Sequence, residues 1–139
     1  MSGAFVADAS VAVAWVHPGQ ATEETDRALD EIAEGAQLDV PAIWPLEVAN
    51  SLTMLTRREK LTERECGQAL AWLRALRVKV DSETASNAFT VLPDLAKRYG
   101  LSVYDAAYLE LAARKKLRLC GKDGPLRKAA ARHSVALWR

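Results

Sequence analysis

Short apolar segments recur along this chain, and each is followed or preceded by a stretch of helical character. The segments that we predict as strands are 4–7, 38–40, 78–80, 117–120 and 135–138. A strand that is apolar throughout needs cover on both faces, and helices that alternate with parallel strands supply it. The sequence therefore predicts an α/β fold with a mostly parallel sheet covered on both faces. We expect residues 1–139 to form one domain, because domains usually contain about 100–150 residues.

The predicted helices lie between these strands and are bounded by capping residues. Thr62 and Glu65 form a capping-box pattern at one helix start. A further helix is predicted to begin after Ser82 as its cap and to end at Gly100, a residue typical of helix ends. We expect an interruption of this helix near Pro93. The predicted helices begin near 10 and cover about 22–34, 45–58, 62–76, 82–99, 102–116 and 125–133.

The charge of the chain is unevenly distributed. Residues 1–50 hold nine acids and one base, a net charge of −8, and residues 114–139 hold nine bases and one acid, a net charge of +8. The intervening residues add +1, which gives the formal total of +1. Acid at one end and base at the other suggest an interacting surface. We expect most of the N-terminal acids to lie on solvated helix surface.

Cysteine content and the N-terminal segment argue against two other classes of protein. Two cysteines, Cys66 and Cys120, do not make a disulfide scaffold, and we expect both to be small buried side chains. The apolar segment 3–16 has no basic region before it, is too short to span a bilayer and carries Asp8 in its middle. The sequence therefore predicts a soluble cytoplasmic protein without a membrane partner.

Four carboxylates occupy positions unlike the exposed helix faces on which most acids of this chain are expected. Asp8 follows the first predicted strand, and Glu47 falls in the first turn of its helix. Asp105 interrupts an apolar helical run, and Asp123 follows the fourth predicted strand. Each position also suits a purely structural role as a helix cap, a first-turn acid or a turn residue.

Taken together, the four positions predict a metal site. The carboxyl ends of parallel strands and the N-termini of the helices after them form one rim of a sheet, where ligands bind. Four acids on one rim repel each other, and a hard cation relieves that repulsion. Carboxylate oxygens without histidine or thiolate ligands favour Mg²⁺ or Mn²⁺. Metals held in this way usually act on phosphate groups.

Four blocks of sequence match one known family in the family's order. They are residues 6–10, 41–50, 101–112 and 119–130, and the most specific is Leu-Ser-x-Tyr-Asp-Ala-x-Tyr at 101–108. On these blocks the chain resembles the PIN-domain ribonucleases, most closely the VapC-type toxins of toxin–antitoxin pairs.

The resemblance implies a three-layer α/β/α sandwich and a Mg²⁺- or Mn²⁺-dependent endoribonuclease that hydrolyses RNA phosphodiester bonds. By motif match, the catalytic site would consist of Asp8, Glu47, Asp105 and Asp123. In this reading the three aspartates hold the metal, and Glu47 completes the cluster or orients the attacking water.

Two further residues are implied as supports of this site, and one position departs from the family pattern. Ser10 would place a hydroxyl beside Asp8, and Asn50 lies one helical turn after Glu47, so that it can face the same pocket. Relatives commonly have a threonine two residues before the last aspartate, where this chain has Gly121. We expect the loss of that hydroxyl to loosen the orientation of the last aspartate.

The resemblance also implies partners. RNA would be held through its phosphates, which supply most non-specific affinity. The expected contacts are basic residues near the C-terminus, namely Lys122, Arg127, Lys128, Arg114 and Lys116. A cognate antitoxin would dock on the helix pair at about 44–76, and a homodimer is implied by family analogy. The predicted apolar anchors for the antitoxin are Trp44, Leu52, Leu55, Leu70, Trp72 and Leu73.

Three other interpretations bear on the same residues. A phosphatase of the haloacid-dehalogenase type needs a second aspartate where this chain has Ser10. A phospho-accepting receiver domain needs an acid pair near the first strand, where Asp8 stands alone, yet its acidic pocket and late lysine keep it as an alternative. A catalytically weakened PIN fold that only binds RNA or protein is the third, and Gly121 keeps it open.

Overall fold

The computed structural model describes residues 3–138 of the chain. In that span four parallel strands form one sheet in the order β3-β2-β1-β4. The strands are β1 (Ala4–Ala7), β2 (Gln37–Val40), β3 (Val78–Val80) and β4 (Arg118–Cys120). The predicted α/β fold with a parallel sheet is confirmed.

The helices of the described residues connect these strands. They are α1 (Ala9–Val16), α2 (Glu23–Ala33), α3 (Trp44–Arg57), α4 (Glu63–Arg74), α5 (Thr84–Asn87), α6 (Val91–Tyr99), α7 (Val103–Lys115) and α8 (Gly124–Arg132). A 3₁₀ turn at Pro18–Gln20 lies between α1 and α2. The predicted capping box at α4 is present, because the Thr62 side chain accepts from the Glu65 N–H and the Glu65 carboxylate accepts from the Thr62 N–H.

The direction of the crossovers assigns the helices to two faces of the sheet. From β1 to β2 to β3 the chain moves one way along the sheet, and from β3 to β4 it returns. Because parallel crossovers are right-handed, α1–α4 cover one face and α5–α7 cover the other. The result is a three-layer α/β/α arrangement. The described residues contain no helix that combines the length and the apolar character needed to cross a membrane.

One side of the core rests on α7, the apolar helix that the sequence predicts to be internal. Six of its residues are buried, among them Tyr108 and Leu109, and it packs against β1, β4 and α6. In the centre of the sheet Phe5 and Val6 of β1 have no exposed surface. The carboxyl ends of β1 and β4 therefore rest on the packed core that these strands form with α7.

The helix predicted over 82–99 is in fact two helices, α5 and α6. The break lies at residues 88–90, before Pro93, and Glu83 rather than Ser82 precedes α5. A proline inside one continuous helix would clash with the carbonyl of Phe89, four residues earlier. Restarting the helix at Val91 places Pro93 in a first turn, where its missing N–H is no loss.

The strand predicted at 135–138 is reduced to one parallel bridge between Leu119 and Leu137. Trp138 nevertheless is buried, with its ring 6.2 Å from that of Phe5. The guanidinium groups of Arg27 and Arg118 lie 5.7 and 5.9 Å from the centroid of the Trp138 ring. Residues 136–138 are held by this ring packing and by two backbone hydrogen bonds, from the Leu119 N–H to the Ala136 carbonyl and from the Trp138 N–H to the Leu119 carbonyl, both at 2.9 Å.

Candidate functional site

A cavity of about 520 Å³ opens at the carboxyl ends of β1 and β4. These two strands are neighbours in the sheet although the chain leaves β1 toward β2, so that their carboxyl ends form the switch point where α/β sheets bind ligands. The four carboxylates of Asp8, Glu47, Asp105 and Asp123 all line this cavity. The structure thus brings together residues that are up to 115 positions apart in the sequence.

Asp8 is held by its own helix and by a hydroxyl. It directly follows β1, its N–H donates to the Cys120 carbonyl of β4, and it is only 5 % exposed. One carboxylate oxygen, Oδ1, accepts from the Ser10 hydroxyl at 2.6 Å and from the Val11 N–H at 3.2 Å. Asp8 is therefore both the N-cap of α1 and a pocket residue, and Ser10 lies where its predicted supporting contact requires.

Asp123 and Asp105 are placed by the starts of two other helices. Asp123 caps α8 and accepts from the Leu126 N–H at 3.0 Å. Asp105 is half-buried in the first turn of α7, where its N–H donates to the Ser102 hydroxyl at 3.0 Å. The sequence predicts that Asp123 is loosely oriented without a neighbouring hydroxyl. Its capping hydrogen bond opposes this loosening, because it orients the carboxylate.

Glu47 has a partner that sequence reasoning missed. The hydroxyl of Tyr108 donates to Glu47 Oε1 at 2.6 Å, and the Tyr108 side chain is 1 % exposed. Tyr108 therefore links α7 to α3 at the base of the pocket. Its position one turn after Asp105, as a residue with a polar tip in an apolar helix, was the available signal.

The four carboxylates affect each other's proton affinity. Burial raises the pKa of Asp8, against the lowering by the Ser10 and Val11 hydrogen bonds, and the charges of Asp123 and Glu47 add to the rise. Burial, and after it the charges of the three other carboxylates, together raise the pKa of Asp105 to about 6. The pocket therefore concentrates more negative charge than its surroundings stabilise.

The donor set of this pocket fits a hard divalent cation. It offers carboxylate oxygens and no histidine or cysteine, which is the preference of Mg²⁺ and Mn²⁺. The mutual repulsion that raises the pKa of Asp8 and Asp105 is the quantity that such a cation would relieve. Across residues 3–138, no three acidic, histidine or cysteine side chains already stand at the spacing of a metal site. The carboxylates would have to rotate toward a bound ion.

Gly121 forms part of the wall behind Asp8. A Cβ at this position would lie 3.2 Å from Asp8 Oδ2 and 3.7 Å from Leu126 Cδ2. That separation is tighter than ordinary van der Waals contact, so a side chain here would press on the carboxylate. The absence of the family's threonine therefore gives Asp8 room.

The remaining lining residues come mostly from α3. Asn50, predicted as a support of the site, lies at the pocket together with several residues that carried no prediction. The latter are Ala9, Val13, Gln20, Ser51, Met54, Arg58 and Tyr108, and Leu55, predicted as an antitoxin anchor, also lines the pocket. Arg58 has a charge opposite to that of the four acids.

Of the basic residues predicted to contact RNA, Lys122 lies nearest the pocket. Its Nζ donates to the carbonyl of the pocket residue Gln20 at 2.7 Å. Arg127 donates to the Gly121 carbonyl at 2.9 Å and pairs with Glu24 at 3.1 Å. Lys116 and Lys128 are exposed and do not line the pocket.

Arg114 is not brought to the pocket. It lies nine residues after Asp105 on α7, about 13 Å along the helix axis. Its guanidinium pairs with the carboxylates of Asp81 at 2.7 Å, Glu83 at 2.9 Å and Glu110 at 2.8 Å. Three carboxylates at this distance compete with any phosphate for the same donors.

The charge asymmetry of the sequence is in large part internal. Arg118 pairs with Glu31, Lys115 with Asp39, and Arg127 with Glu24, at 3.0, 3.2 and 3.1 Å. Each pair joins a base of the last 26 residues to an acid of the first 50. These three acids are exceptions to the expected solvated surface, because the parallel sheet puts β4 beside β1 and brings the two ends of the chain together.

Three of the six predicted antitoxin anchors are unavailable. Trp44, Leu52 and Leu73 are buried in the core, on the faces of α3 and α4 that pack inward. Leu55 is half-buried and lines the carboxylate pocket. The exposed ones are Leu70 and Trp72, 40 % and 39 % exposed. Trp72 lines a second cavity of about 580 Å³ between the end of α1 and α4.

Comparisons with known proteins bear on the same residues. The family model described as PIN domain matches residues 5–131. The chain is 38 % identical over 112 residues to Ribonuclease VapC3 of Pyrobaculum aerophilum, a match that covers 78 % of this chain and 80 % of the relative. Its fold is similar to that of VapBC2 from Rickettsia felis, which was solved bound to a DNA fragment from its promoter, with a TM-score of 0.64, 12 % identity and 96 % of each chain covered. It is also similar to that of FitAcB from Neisseria gonorrhoeae, with a TM-score of 0.63, 18 % identity, and 97 % of this chain and 96 % of that one covered.

Proposed function

Because the chain belongs to the PIN domain family, we propose that it is a Mg²⁺- or Mn²⁺-dependent endoribonuclease and the toxin of a toxin–antitoxin pair. The observation that carries the proposal is the convergence of Asp8, Glu47, Asp105 and Asp123 in one pocket at the switch point of the sheet. The relative named Ribonuclease VapC3 supports RNA as the substrate. Residues 1–139 act as one domain in this proposal.

The three aspartates hold the metal. When bound, the metal neutralises charge on the phosphoryl oxygens and lowers the pKa of the attacking water. Ser10 fixes one oxygen of Asp8, so that the other oxygen, Oδ2, is directed away from the helix cap. Tyr108 fixes one oxygen of Glu47, which leaves the second to orient water. A metal that lowers the pKa of water removes the need for a histidine base, and neither histidine lines the pocket.

The RNA backbone is held at the rim of the pocket. Lys122 is adjacent to Asp123, is exposed and lies over Gln20, so it meets a phosphate next to the scissile bond. Arg127, Lys128 and Lys116 contribute at longer range to the same electrostatic attraction. Arg114 contributes least, because its guanidinium already serves three carboxylates.

The catalytic part of the proposal is tested with isosteric amide variants. Asp8→Asn and Asp105→Asn should each abolish metal-dependent cleavage of total RNA, because each removes a negative ligand. Asp94→Asn is the control, since Asp94 is an exposed acid in the first turn of α6 and lies outside the pocket. Circular dichroism verifies that all three are folded. Full activity of either pocket variant, or no cleavage by the wild type with Mg²⁺ or Mn²⁺, would contradict the proposal.

An antitoxin partner is part of the same proposal. The resemblance to VapC-type toxins implies a protein partner, and the structural neighbours named VapBC2 and FitAcB support one for this chain. Leu70 and Trp72, exposed on α4, are the apolar residues that we propose as its contacts. Co-expression with the neighbouring small reading frame should yield a co-purifying complex that does not cleave RNA. A product that neither binds nor inhibits would contradict the pairing. Light scattering tests the proposed homodimer, and fractionation of cells tests the proposed cytoplasmic location.

A further inference from the structure

One face of α3 forms a continuous wall of the carboxylate pocket. The residues on this face follow each other at intervals of three and four positions, which places them in one row along the helix. They are Glu47, Asn50, Ser51, Met54, Leu55 and Arg58. From Glu47 to Arg58 the row spans twelve residues, which is about 16 Å of helix axis. The pocket is therefore a trough that runs from the acids along α3.

The two ends of this trough differ in charge. Four carboxylates occupy one end, and the exposed side chain of Arg58, the C-cap of α3, occupies the other. Arg58 is the one basic residue among the described residues that line the trough. Between the ends, Met54 and Leu55 present half-buried apolar side chains opposite Val13.

Resting on the proposed ribonuclease function, we infer that the trough binds one RNA strand beyond the scissile bond and that Arg58 binds a phosphate of that strand. An RNA strand that enters an acidic site binds more tightly when a cation placed away from the acids contacts one of its phosphates. Arginine suits this contact, because the guanidinium fork matches phosphate geometry. Phosphate contacts of this kind fix the register of the strand. Arg58 thus acts on which bond reaches the carboxylates.

The dimensions of the trough favour a single strand. A cavity of about 520 Å³ has the size of a small-ligand pocket and is too small to enclose a duplex. A row of about 16 Å corresponds to about five stacked nucleotides at ~3.4 Å each, and to fewer in an extended strand. The apolar side chains of Met54 and Leu55 offer the bases a surface without sequence preference. The phosphate bound by Arg58 therefore lies within about five nucleotides of the cut.

The neighbouring arginine supplies a matched control. Arg57 is also exposed at the C-terminal end of α3, but its Nη1 lies 3.7 Å from Met54 Sδ and it does not line the trough. Arg58→Gln and Arg57→Gln remove the same charge from the same helix terminus, so their effects on helix stability should match. Steady-state cleavage of a single-stranded RNA oligonucleotide with one mapped cut site compares the two.

Arg58→Gln should raise KM about 10-fold, as expected for the loss of one charge-assisted hydrogen bond, and leave kcat within about twofold. The slope of log binding constant against log salt should fall by about 0.7, the value for one phosphate contact on a single strand. Arg57→Gln should behave as the wild type in all three measurements. Equal values of KM and equal salt slopes for the two variants would overturn the inference, and Arg58 would then be left to a protein partner.

A chemical substitution in the RNA identifies the phosphate itself. Neutral methylphosphonate linkages are placed one at a time at the five positions on either side of the cut. At one position the linkage should weaken binding to the wild type as much as Arg58→Gln does and cause no further loss in that variant. Additive losses at every position would overturn the inference.

The same oligonucleotide separates this inference from the proposed activity. If the wild type cleaves no RNA, the proposed function fails, and binding is then measured by fluorescence anisotropy in the Asp105→Asn background. If Arg58→Gln weakens RNA binding more than Arg57→Gln does in that background, the result still supports the inference that the trough binds RNA. Equal binding of the two double variants overturns it.

Discussion

Replacing Asp105 by asparagine should stabilise the metal-free protein at neutral pH while it abolishes activity. Burial and three neighbouring carboxylates raise the pKa of Asp105 from its ordinary value of 3.8 to about 6. The gap corresponds to about 3 kcal/mol at 1.36 kcal/mol per pKa unit. Because the side chain is half-exposed, solvent screening reduces this penalty, and we expect about 1–2 kcal/mol. An amide at this position carries no charge and escapes the penalty.

The pH dependence of the effect follows from the direction of the shift. Below about pH 4 the carboxyl is protonated in both folded and unfolded states, so Asp105→Asn should change the free energy of unfolding little. Between about pH 4 and 6 the unfolded chain releases its proton while the folded protein retains it, and the wild type loses stability relative to the variant. Above about pH 6 the difference should reach its plateau.

The assay is urea unfolding in a chelating buffer at pH values from 4 to 8, with unchanged m-values as the check on two-state behaviour. Asp94→Asn is the control, because it also removes an acid from the first turn of a helix. Loss of its interaction with the helix dipole should destabilise by about 0.3–1 kcal/mol. The two substitutions therefore differ in sign. An Asp105→Asn variant that is less stable than the wild type at pH 7.5 would refute the charge crowding argued for this pocket.

Three further outcomes are expected. Tyr108→Phe removes the hydrogen bond to Glu47 and should lower the free energy of unfolding by about 1–2 kcal/mol. It should also lower kcat with little change in KM. Tyr104→Phe, on the exposed side of the same helix, should change neither the stability nor kcat. Gly121→Ala adds a methyl group 3.2 Å from the Asp8 carboxylate, so it should destabilise the protein by about 1 kcal/mol and weaken Mg²⁺ binding. A methyl group at Gly124 meets open space, so Gly124→Ala should have neither effect. Calorimetry measures both the stability and the binding. Mg²⁺ at 100 times its Kd should raise the free energy of unfolding of the wild type by about 2.7 kcal/mol and leave Asp105→Asn unchanged, and an unmoved wild-type midpoint would argue against a metal site.

The parts of the structure that follow from local pattern were predictable. The apolar runs at 4–7, 38–40 and 78–80 became β1, β2 and β3 within one residue at each end. The approach of the four carboxylates to one another was also predictable, although they are far apart in sequence. The reason is that a parallel sheet turns a position at the end of a strand into a position on one edge.

Contacts between layers were not predictable from the sequence. The hydrogen bond between Tyr108 and Glu47 spans 61 positions, and the ion pair of Arg127 with Glu24 spans 103. Neither has a local signature, because each depends on how helices from different layers pack. The same limit applies to Leu52, which was predicted as an antitoxin anchor but faces the core. Leu55, three residues later on α3, lines the pocket.

The sequence left a structural and a functional explanation of the acidic residues in competition, and the structure shows that the capping role and the position in the pocket are compatible. Asp8 caps α1 through Oδ1, and the same carboxylate has a second oxygen on the side of Gly121. Asp123 caps α8 in the same manner. A carboxylate that caps a helix is oriented by backbone N–H groups, which are part of the fold and add no side chain to the pocket. The N-cap positions therefore orient Asp8 and Asp123 at the mouth of the sheet, where burial and the neighbouring carboxylates raise the pKa of Asp8 and Asp105.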